Sequence, residues 1–439
     1  MKAIFNKSLI GKVMAALMCV ALYACSNNEP EPESPSGPEP EGYCLMYYCS
    51  GGDAAHDLTT MAAVQSAADV SNDEVTVTCL FKFSGEGEGE AHNGIRRYTG
   101  ESGRLTVDDT FSAPGDFEIT DSRNLADFIK WSAQVYPGRK YILVFAGHGA
   151  TFRPEIDLPA FPDSRATVSD GRKIMATYQV AEGIRDSGIH LAAMIAHSCQ
   201  QGSIEMLAEW EGLTDYLLGS PFSIPDVAHD YASFVGDLTG GISLEDALKR
   251  TAGRTISLWK EYHDSGYFGE VIELTRLDDL SAVWSALDAT FAYMKTSVNG
   301  LSSCTDAPSI NGERYGRGYL RALTTLTEKR DEIFEKPHPS RSVDLVDYLR
   351  NACIHTGNVA LTPYVNKVQQ EIDKILVYHE QTNGRHDFIY NVYFSDKLAH
   401  DDMVTRYHQC RFDQLTGWSG LCQTLLTDYS DKTDQSQQN

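Results

Sequence analysis

The sequence is poor in positive charge: its 439 residues include 37 Lys and Arg against 61 Asp and Glu, a formal net charge of −24. A surface this negative repels phosphate backbones, so nucleic-acid partners are not expected. The sequence also lacks an apolar run long enough to span a bilayer as a helix. Its 42% hydrophobic and 22% charged residues are nevertheless typical of a globular protein.

The first 24 residues have the pattern of a signal peptide. Lys2, Lys7 and Lys12 precede an apolar run over 13–24 that is too short for a membrane span. The run ends in Leu-Tyr-Ala-Cys, which resembles a bacterial lipobox, although its Tyr is bulkier than the usual residue. We therefore predict a lipoprotein signal peptide over residues 1–24 and a lipid attached to Cys25.

Residues 25–42 are predicted to form an acidic, proline-rich tether. The segment after Cys25 reads SNNEPEPESPSGPEPEG. Proline keeps such a chain extended and the glutamates repel one another. An acidic stretch directly after a lipidated Cys also resembles the surface-export signals of Bacteroidetes lipoproteins. The resemblance implies a lipid-anchored outer-membrane protein exposed at the cell surface.

The other cysteines show no metal-binding or disulfide framework. There is no CxxC pair and the spacings are irregular, so a zinc ribbon is not indicated. Most of these residues are predicted to be small core side chains, and any pairing stays open. Apart from Cys19, which leaves with the signal peptide, they are Cys44, Cys49, Cys79, Cys199, Cys304, Cys353, Cys410 and Cys422.

Between residues 43 and 426, short apolar runs alternate with helical patterns, which favours a parallel sheet with helices on both faces. The predicted strands are Tyr43 to Cys49, Val75 to Phe83, Tyr141 to Ala146, Leu191 to Ala196, Tyr216 to Gly219 and Phe388 to Phe394, the last returning to the sheet, with a hairpin over Ile95 to Val107. The predicted helices are Leu58 to Ala68, Asn124 to Val135, Tyr178 to Arg185, Gly202 to Trp210, Ser243 to Tyr262, Leu277 to Met294, Val343 to Cys353 and Val365 to His379.

No internal repeat or second linker interrupts this region. We therefore predict one α/β domain over 43–426, with a helical C-terminal elaboration, and a polar, disordered tail over 427–439. The protein is expected to be a monomer.

Two adjacent predicted strands end in residues suited to nucleophilic catalysis. His148 follows the strand over 141–146, and Cys199 follows the strand over 191–196. A thiol needs a base to become a thiolate, and imidazole titrates in the right range. Gly147 and Gly149 would let a substrate approach the backbone, and the Gly149 amide could donate to an oxyanion. The competing interpretation is a turn histidine and a core cysteine without chemistry.

Two blocks, Val144 to Gly149 and Ala196 to Leu218, resemble the clostripain family of cysteine peptidases, which has the caspase and legumain fold. The family carries His-Gly after one strand and Asp-Ala-Cys after the next. Further family positions are matched by Glu205, Asp215, Tyr216 and Ser220. Weaker similarity covers Tyr47 to Leu58, Asp344 to Tyr348, and Phe388 to Phe394 with Trp418.

The resemblance implies a Cys-His dyad that hydrolyses proteins or peptides. Cys199 would form a thioester acyl-enzyme while His148 transfers the proton. The amides of Gly149 and Cys199 would hold the oxyanion. No organic cofactor is implied, and although calcium could support so acidic a protein, no loop has the spacing that would argue for it.

The chain departs from the family at the specificity pocket. The family has Asp two residues before the catalytic Cys, on the pocket floor, whereas this chain has His197. The attraction for Arg or Lys before the cut is therefore expected to be weak. Asp226, in the loop that follows, is the candidate for a replacement acid.

Several alternatives stay open at this point. His197 could serve as the base in place of His148, or could bind zinc with Cys199 and either His190 or His148, although no spaced cluster supports a metal. Glu205 is expected to be structural and to bind loop amides. The alternative function is a non-catalytic surface lipoprotein that binds a peptide or glycan on the same scaffold.

Overall fold

The computed structural model describes residues 41–50, 52–85, 93–149, 152, 168–170, 173–225, 227–262, 271–299, 308–333, 342–382 and 389–429. The predicted signal peptide, Cys25 and the rest of the tether up to residue 40 lie outside the described residues, as do Asp226 and residues 430–439 of the predicted tail. The described residues from Glu41 onward belong to one unit.

Thirteen strands lie within these residues. They are β1 (Tyr43–Ser50), β2 (Val75–Lys82), β3 (Ile95–Glu101), β4 (Arg104–Val107), β5 (Lys140–Ala146), β6 (Val168–Asp170), β7 (Lys173–Met175), β8 (Leu191–His197), β9 (Tyr216–Gly219), β10 (Val271–Arg276), β11 (Ser342–Asp344), β12 (Leu376–Gln381) and β13 (Asn391–Tyr393). Nine form the central sheet in the order β12-β10-β9-β8-β5-β1-β2-β3-β4.

The middle of this sheet is parallel and both of its edges are antiparallel. Strands β2, β1, β5, β8 and β9 run in one direction. The hairpin of β3 and β4 closes one edge, and β10 with β12 closes the other. The parallel strands are near-continuous apolar runs because both faces of the sheet are covered, as the sequence predicted.

The helices are α1 (Ala54–Asp69), α2 (Ser122–Val135), α3 (Thr177–Ser187), α4 (Ile204–Trp210), α5 (Tyr231–Thr239), α6 (Leu244–Tyr262), α7 (Ser281–Asn299), α8 (Pro308–Ile333), α9 (Leu345–Thr356), α10 (Thr362–Ile375), α11 (Asp401–Tyr407), α12 (Arg411–Thr416) and α13 (Trp418–Tyr429). Strand side chains alternate between two cores: Met194 packs into one, and Ala193 and Ile195 into the other. Among the described residues, none of the helices is long and apolar enough to cross a membrane.

The predicted α/β class with a mostly parallel sheet is confirmed, but the C-terminal half differs in detail. The expectation that Phe388 to Phe394 returns to the central sheet is wrong, because β13 pairs with β11 in a separate two-stranded sheet. The edge is formed instead by β10 and β12, which the sequence analysis missed. Residues 376–379 had been assigned to a helix, but the helix ends at Ile375 and the chain then pairs with β10.

Several boundaries also move: the helix predicted from Leu58 begins at Ala54, and the one predicted over Leu277 to Met294 is Ser281–Asn299. Residues 342–344 form strand β11, so the helix predicted from Val343 begins at Leu345. Helix α13 continues to Tyr429, three residues into the predicted tail. In this helix Trp418 packs against Tyr348, with ring centroids 5.4 Å apart, and its Nε1 donates to the Tyr393 carbonyl at 2.8 Å. These contacts join the helical elaboration to β13.

Candidate active site

The predicted dyad residues leave the sheet at the same edge. Strands β5 and β8 are parallel neighbours in which Ala146 lies opposite His197. The segments that follow, with His148 on one and Cys199 on the other, therefore emerge side by side at the carboxyl ends of the strands. This is the juxtaposition that the sequence predicted.

The Gly149 backbone lies close to the backbone of Cys199. A Cβ at this position would lie 2.3 Å from the carbonyl oxygen of Cys199 and 3.0 Å from its nitrogen. Such distances are far below van der Waals contact, so only glycine fits without a shift of the backbone. The two amides proposed to form an oxyanion hole thus belong to segments that touch.

The turn that carries the thiol is tightly constrained. Gln200 has a left-handed backbone, with φ of 60°, and its N–H donates to the Phe222 carbonyl at 2.7 Å. A non-glycine residue in this region is uncommon and concentrates at functional sites. Residues two apart on a strand point to the same side, but β8 ends at His197. The strand geometry therefore does not place the His197 and Cys199 side chains on one side.

The environment of Cys199 differs from that of the buried cysteines. The Ile224 N–H points at the Cys199 Sγ, 3.4 Å away, and the thiol is half-buried. The Sγ also lies 3.9 Å from the Ile224 carbonyl oxygen, so both backbone polar groups of Ile224 face the sulfur. In contrast, burial raises the pKa of Cys44 to about 11 and the pKa of Cys79 well above its ordinary value. The prediction that most cysteines are core residues is confirmed for Cys44, Cys49, Cys79, Cys410 and Cys422, which are buried free thiols.

His148 is half-buried and bounded on two sides by the start of α1. A Cβ on Gly52 would lie 2.6 Å from the His148 Nε2, so the Gly52 backbone covers that edge of the ring. The His56 ring lies nearly parallel to the His148 ring, with centroids 5.7 Å apart and an interplanar angle of 13°. The sequence analysis missed His56, since no local pattern marks it.

His197 is 3% exposed and lies among aromatic rings. The His229 ring centroid is 5.7 Å away and the Tyr231 centroid 6.5 Å away. Burial lowers the pKa of His197 well below its ordinary value, and the nearby His229 and His56 add to the effect. Its Nδ1 has no hydrogen-bond partner among the described residues. A neutral, buried imidazole of this kind is a poor base, which disfavours His197 in that role.

The zinc hypothesis finds no support in the geometry. His190 precedes β8 and Cys199 follows it, so a strand of about 20 Å separates them. The His190 Nε2 instead lies 2.7 Å from an Asp215 carboxylate oxygen. No group of three or more His, Cys, Asp or Glu within the described part of the chain could hold a metal ion.

The other residues at family positions have structural contacts. The Tyr216 hydroxyl donates to the Glu245 carboxylate at 2.9 Å, and the Ser220 Oγ accepts from the Phe222 N–H at 3.1 Å. Asp226, the second predicted pocket residue, lies outside the described residues.

Glu205 is confirmed as a structural residue that binds a main-chain amide. Its Oε1 accepts from the Tyr393 N–H at 2.6 Å and from the Tyr407 hydroxyl at 2.7 Å, which ties α4 to β13 and α11. Burial raises the pKa of Glu205 to about 7 despite these bonds. Asp344 accepts from the Ile389 N–H at 2.6 Å, and burial raises its pKa to about 7 as well.

The raised pKa of Glu205 makes stability fall as pH rises. Between its unfolded value and about 7, the folded chain holds a proton that the unfolded chain releases. Glu205→Gln keeps the acceptor and removes the ionisation. From pH 5 to pH 8, the free energy of unfolding of the variant is expected to gain about 2 to 3 kcal/mol relative to wild type.

Urea unfolding of both proteins at pH 5, 6.5 and 8 measures this difference. Glu205→Ala is the control, since it removes the acceptor and is expected to lower stability at every pH. If the difference in the free energy of unfolding between Glu205→Gln and wild type were the same at all three pH values, the raised pKa of Glu205 would be contradicted.

Comparison with known proteins places this geometry in context. The sequence model that describes the clostripain family matches residues 54–422 of this chain. A comparison with curated proteins finds no match. Among solved structures, a secreted C11 cysteine protease from Bacteroides thetaiotaomicron in complex with an irreversible peptide inhibitor aligns with a TM-score of 0.60 at 14% identity, covering 86% of this chain and 99% of that chain.

A second solved structure has the same architecture. It is an inactive zymogen C11 protease from Parabacteroides distasonis, with a TM-score of 0.56 at 13% identity over 87% of this chain and 99% of that chain. At these identities the similarity shows a common fold.

Proposed function

We propose that this chain, which belongs to the clostripain family and is a cysteine peptidase, cleaves peptide bonds with Cys199 as the nucleophile and His148 as the proton carrier. The observation that carries the assignment of residues is the contact between the Gly149 segment and Cys199 at the carboxyl ends of β5 and β8. The Cys199 thiol is also half-buried rather than buried, which leaves the sulfur accessible to a substrate.

In the first half of the reaction, the Cys199 thiol passes its proton to His148 and the sulfur attacks the carbonyl carbon of the scissile bond. The negative charge that develops on the carbonyl oxygen is held by the amides of Gly149 and Cys199. The C–N bond then breaks as His148 donates its proton to the leaving amine, which leaves a thioester on Cys199. In the second half, His148 takes a proton from water and the hydroxide oxygen attacks the thioester. The C–S bond then breaks, the sulfur takes the proton back from His148, and the carboxylic acid product leaves. No step requires a metal or an organic cofactor.

The function is tested by incubating the purified mature chain with an unstructured protein such as casein. Cleavage into peptides, blocked by prior alkylation of the thiol, is the expected result. A chain that binds casein or glycans without cleaving them would be the non-catalytic lipoprotein instead. Family membership favours the peptidase.

Gly149→Ala keeps the amide but displaces it, and is expected to lower kcat at least about 100-fold, the size of effect that the loss of one oxyanion donor has in other acyl-transfer enzymes. The added Cβ would lie 2.3 Å from the Cys199 carbonyl oxygen and would push the two segments apart. Gly236→Ala, in α5, is the matched control because a Cβ there meets nothing within 4 Å. Steady-state hydrolysis of one peptide by both variants gives the comparison. A Gly149→Ala enzyme within threefold of wild type would remove Gly149 from the site.

We also propose that the mature chain is a monomeric, lipid-anchored protein on the outer surface of the outer membrane. A secreted protease among the structures with the same fold supports export, and the lipobox-like sequence at residues 22–25 supports the anchor. One lipid group on Cys25 would be the sole attachment proposed.

Cys25→Ala is therefore expected to release the protein from membranes or to leave an unprocessed precursor. Cys19→Ala is the matched control, because this cysteine lies within the predicted signal peptide and would not be acylated. Fractionation and mass analysis of the mature N-terminus decide the outcome. A Cys25→Ala protein that stays processed and membrane-bound would point to an ordinary signal peptide and another anchor.

A further inference from the structure

A second imidazole lies against the one that the mechanism uses. The His56 and His148 rings are 13° from parallel with centroids 5.7 Å apart, within the range of offset aromatic stacking. His56 is buried, whereas His148 is half-buried at the site. The face of His148 that meets His56 is therefore covered by a flat side chain.

The position of His56 is set by the first turn of α1. Asp53 is the N-cap residue, and its Oδ1 accepts from the His56 N–H at 2.9 Å. The His56 Nε2 lies 3.4 Å from the Thr60 Oγ1, one turn further along the helix. The ring is thus fixed both at the backbone and at its edge.

Gly52, directly before the cap, completes the enclosure of His148. The Gly52 backbone covers the Nε2 edge of His148, because a Cβ there would lie only 2.6 Å from that atom. With one face against His56 and one edge against Gly52, rotation of the His148 ring about its Cβ–Cγ bond is restricted.

The charged groups near His56 come from three elements. On α1, the cap carboxylate of Asp53 is exposed, and its pKa is lowered chiefly by the His56 N–H bond and also by the charges of His56 and His148. The carboxylate of Asp57, also on α1, binds Ser84: its Oδ2 accepts from the Ser84 N–H at 2.8 Å and from the Ser84 hydroxyl at 2.7 Å. The other titratable groups are His148 after β5 and His197 at the end of β8.

We propose that His56 is a positioning residue: its ring, stacked on His148, holds the His148 imidazole in the one orientation that presents a nitrogen to Cys199. The inference rests on the proposed dyad. It assigns the role to the flat shape of the ring rather than to proton transfer by His56. A misplacement of about 1 Å at a reacting group can cost roughly 100-fold in rate.

The test uses two variants of similar size. His56→Phe keeps a flat ring and is expected to retain kcat within about threefold. His56→Leu keeps bulk without the flat face and is expected to lower kcat roughly tenfold to a hundredfold with KM within twofold. Alkylation of the free enzyme by iodoacetamide across pH 5–9 provides the second readout, because it follows the thiolate held by His148. Wild type and His56→Phe are expected to share one pH profile, and His56→Leu to react slowly below pH 7.

Leu58→Ala, on the exposed side of α1, is the control for a general effect on this helix, and melting temperatures of all variants show whether the helix is intact. Wild-type kcat and alkylation in a folded His56→Leu would overturn the proposal. So would a His56→Phe enzyme as impaired as His56→Leu, since that would assign the role to the imidazole chemistry. Full activity of His148→Ala would instead contradict the dyad itself, so the two failures are distinguishable.

Discussion

Cys199→Ala is expected to abolish peptidase activity, with kcat lowered by roughly four orders of magnitude or more. The mechanism has no second nucleophile at the carboxyl ends of β5 and β8 to form the acyl-enzyme. The fold is expected to survive, because Cys199 lies in a turn, is half-buried, and alanine leaves only a small unfilled space. Hydrolysis of a fluorogenic peptide, with circular dichroism of the same sample, makes the comparison.

Cys353→Ala is the matched control for this variant. Cys353 is also a half-buried free thiol, but it lies on α9 in the helical elaboration, outside the proposed machinery. Its replacement is expected to leave kcat within a few-fold of wild type. Full activity in a folded Cys199→Ala protein would contradict the assignment of the nucleophile.

The wild-type enzyme is expected to show no strong preference for Arg or Lys before the cut. The family resemblance places Asp at the pocket floor, whereas this chain has His197, which is buried and kept uncharged by its low pKa. Removing one partner of a buried, bidentate carboxylate–arginine pair costs about 3–5 kcal/mol. That free energy corresponds to a loss of preference of about 150-fold to several thousand-fold, so neutral and acidic residues should compete.

His197→Asp is expected to shift selection toward Arg by a large factor, and His197→Asn, which has the same size without the charge, should not. A peptide library with cleavage positions read by mass spectrometry measures the preference of all three enzymes. His190→Asp is a surface control at the opposite end of β8. Strong selection for Arg or Lys by the wild type, lost in Asp226→Ala, would show that Asp226 supplies the charge instead.

The parallel strands could be predicted because their sequences are compatible with few other structures. The runs that became β1, β5 and β8 are apolar at nearly every position, as strands buried on both faces require, and they are too short for core helices. Once these strands are neighbours, His148 and Cys199 must emerge at one edge. The proposed dyad can therefore be inferred from residue types and strand ends, with the family resemblance adding specificity.

The missed strands depend on partners that the local sequence does not specify. Residues 376–381 could continue the amphipathic helix before them, and only pairing with β10 makes them a strand. The run ending at Phe394 has the composition of a core strand, yet its three paired residues lie against β11 and its Tyr393 amide is bound by Glu205. The periodicity of apolar residues indicates which side chains are buried. Which strand pairs with which depends on tertiary contacts that the local sequence does not specify.

His56 was missed for a similar reason. In the sequence it stands two residues before the helix predicted from Leu58, and far from the His-Gly and Cys blocks. Only the structure extends that helix back to Ala54 and puts His56 in its first turn. Its relation to His148 arises only when β1 and β5 become neighbours and bring the start of α1 over the end of β5.

The central claim, that Cys199 is a nucleophile activated by His148, is tested most directly by labelling with a peptidyl acyloxymethyl ketone and mapping the adduct by mass spectrometry. The account predicts one adduct, on Cys199 of the wild type, absent in Cys199→Ala and formed at least about 100-fold more slowly in His148→Ala. Equal labelling of Cys353, or labelling of Cys199 at the wild-type rate in His148→Ala, would contradict it.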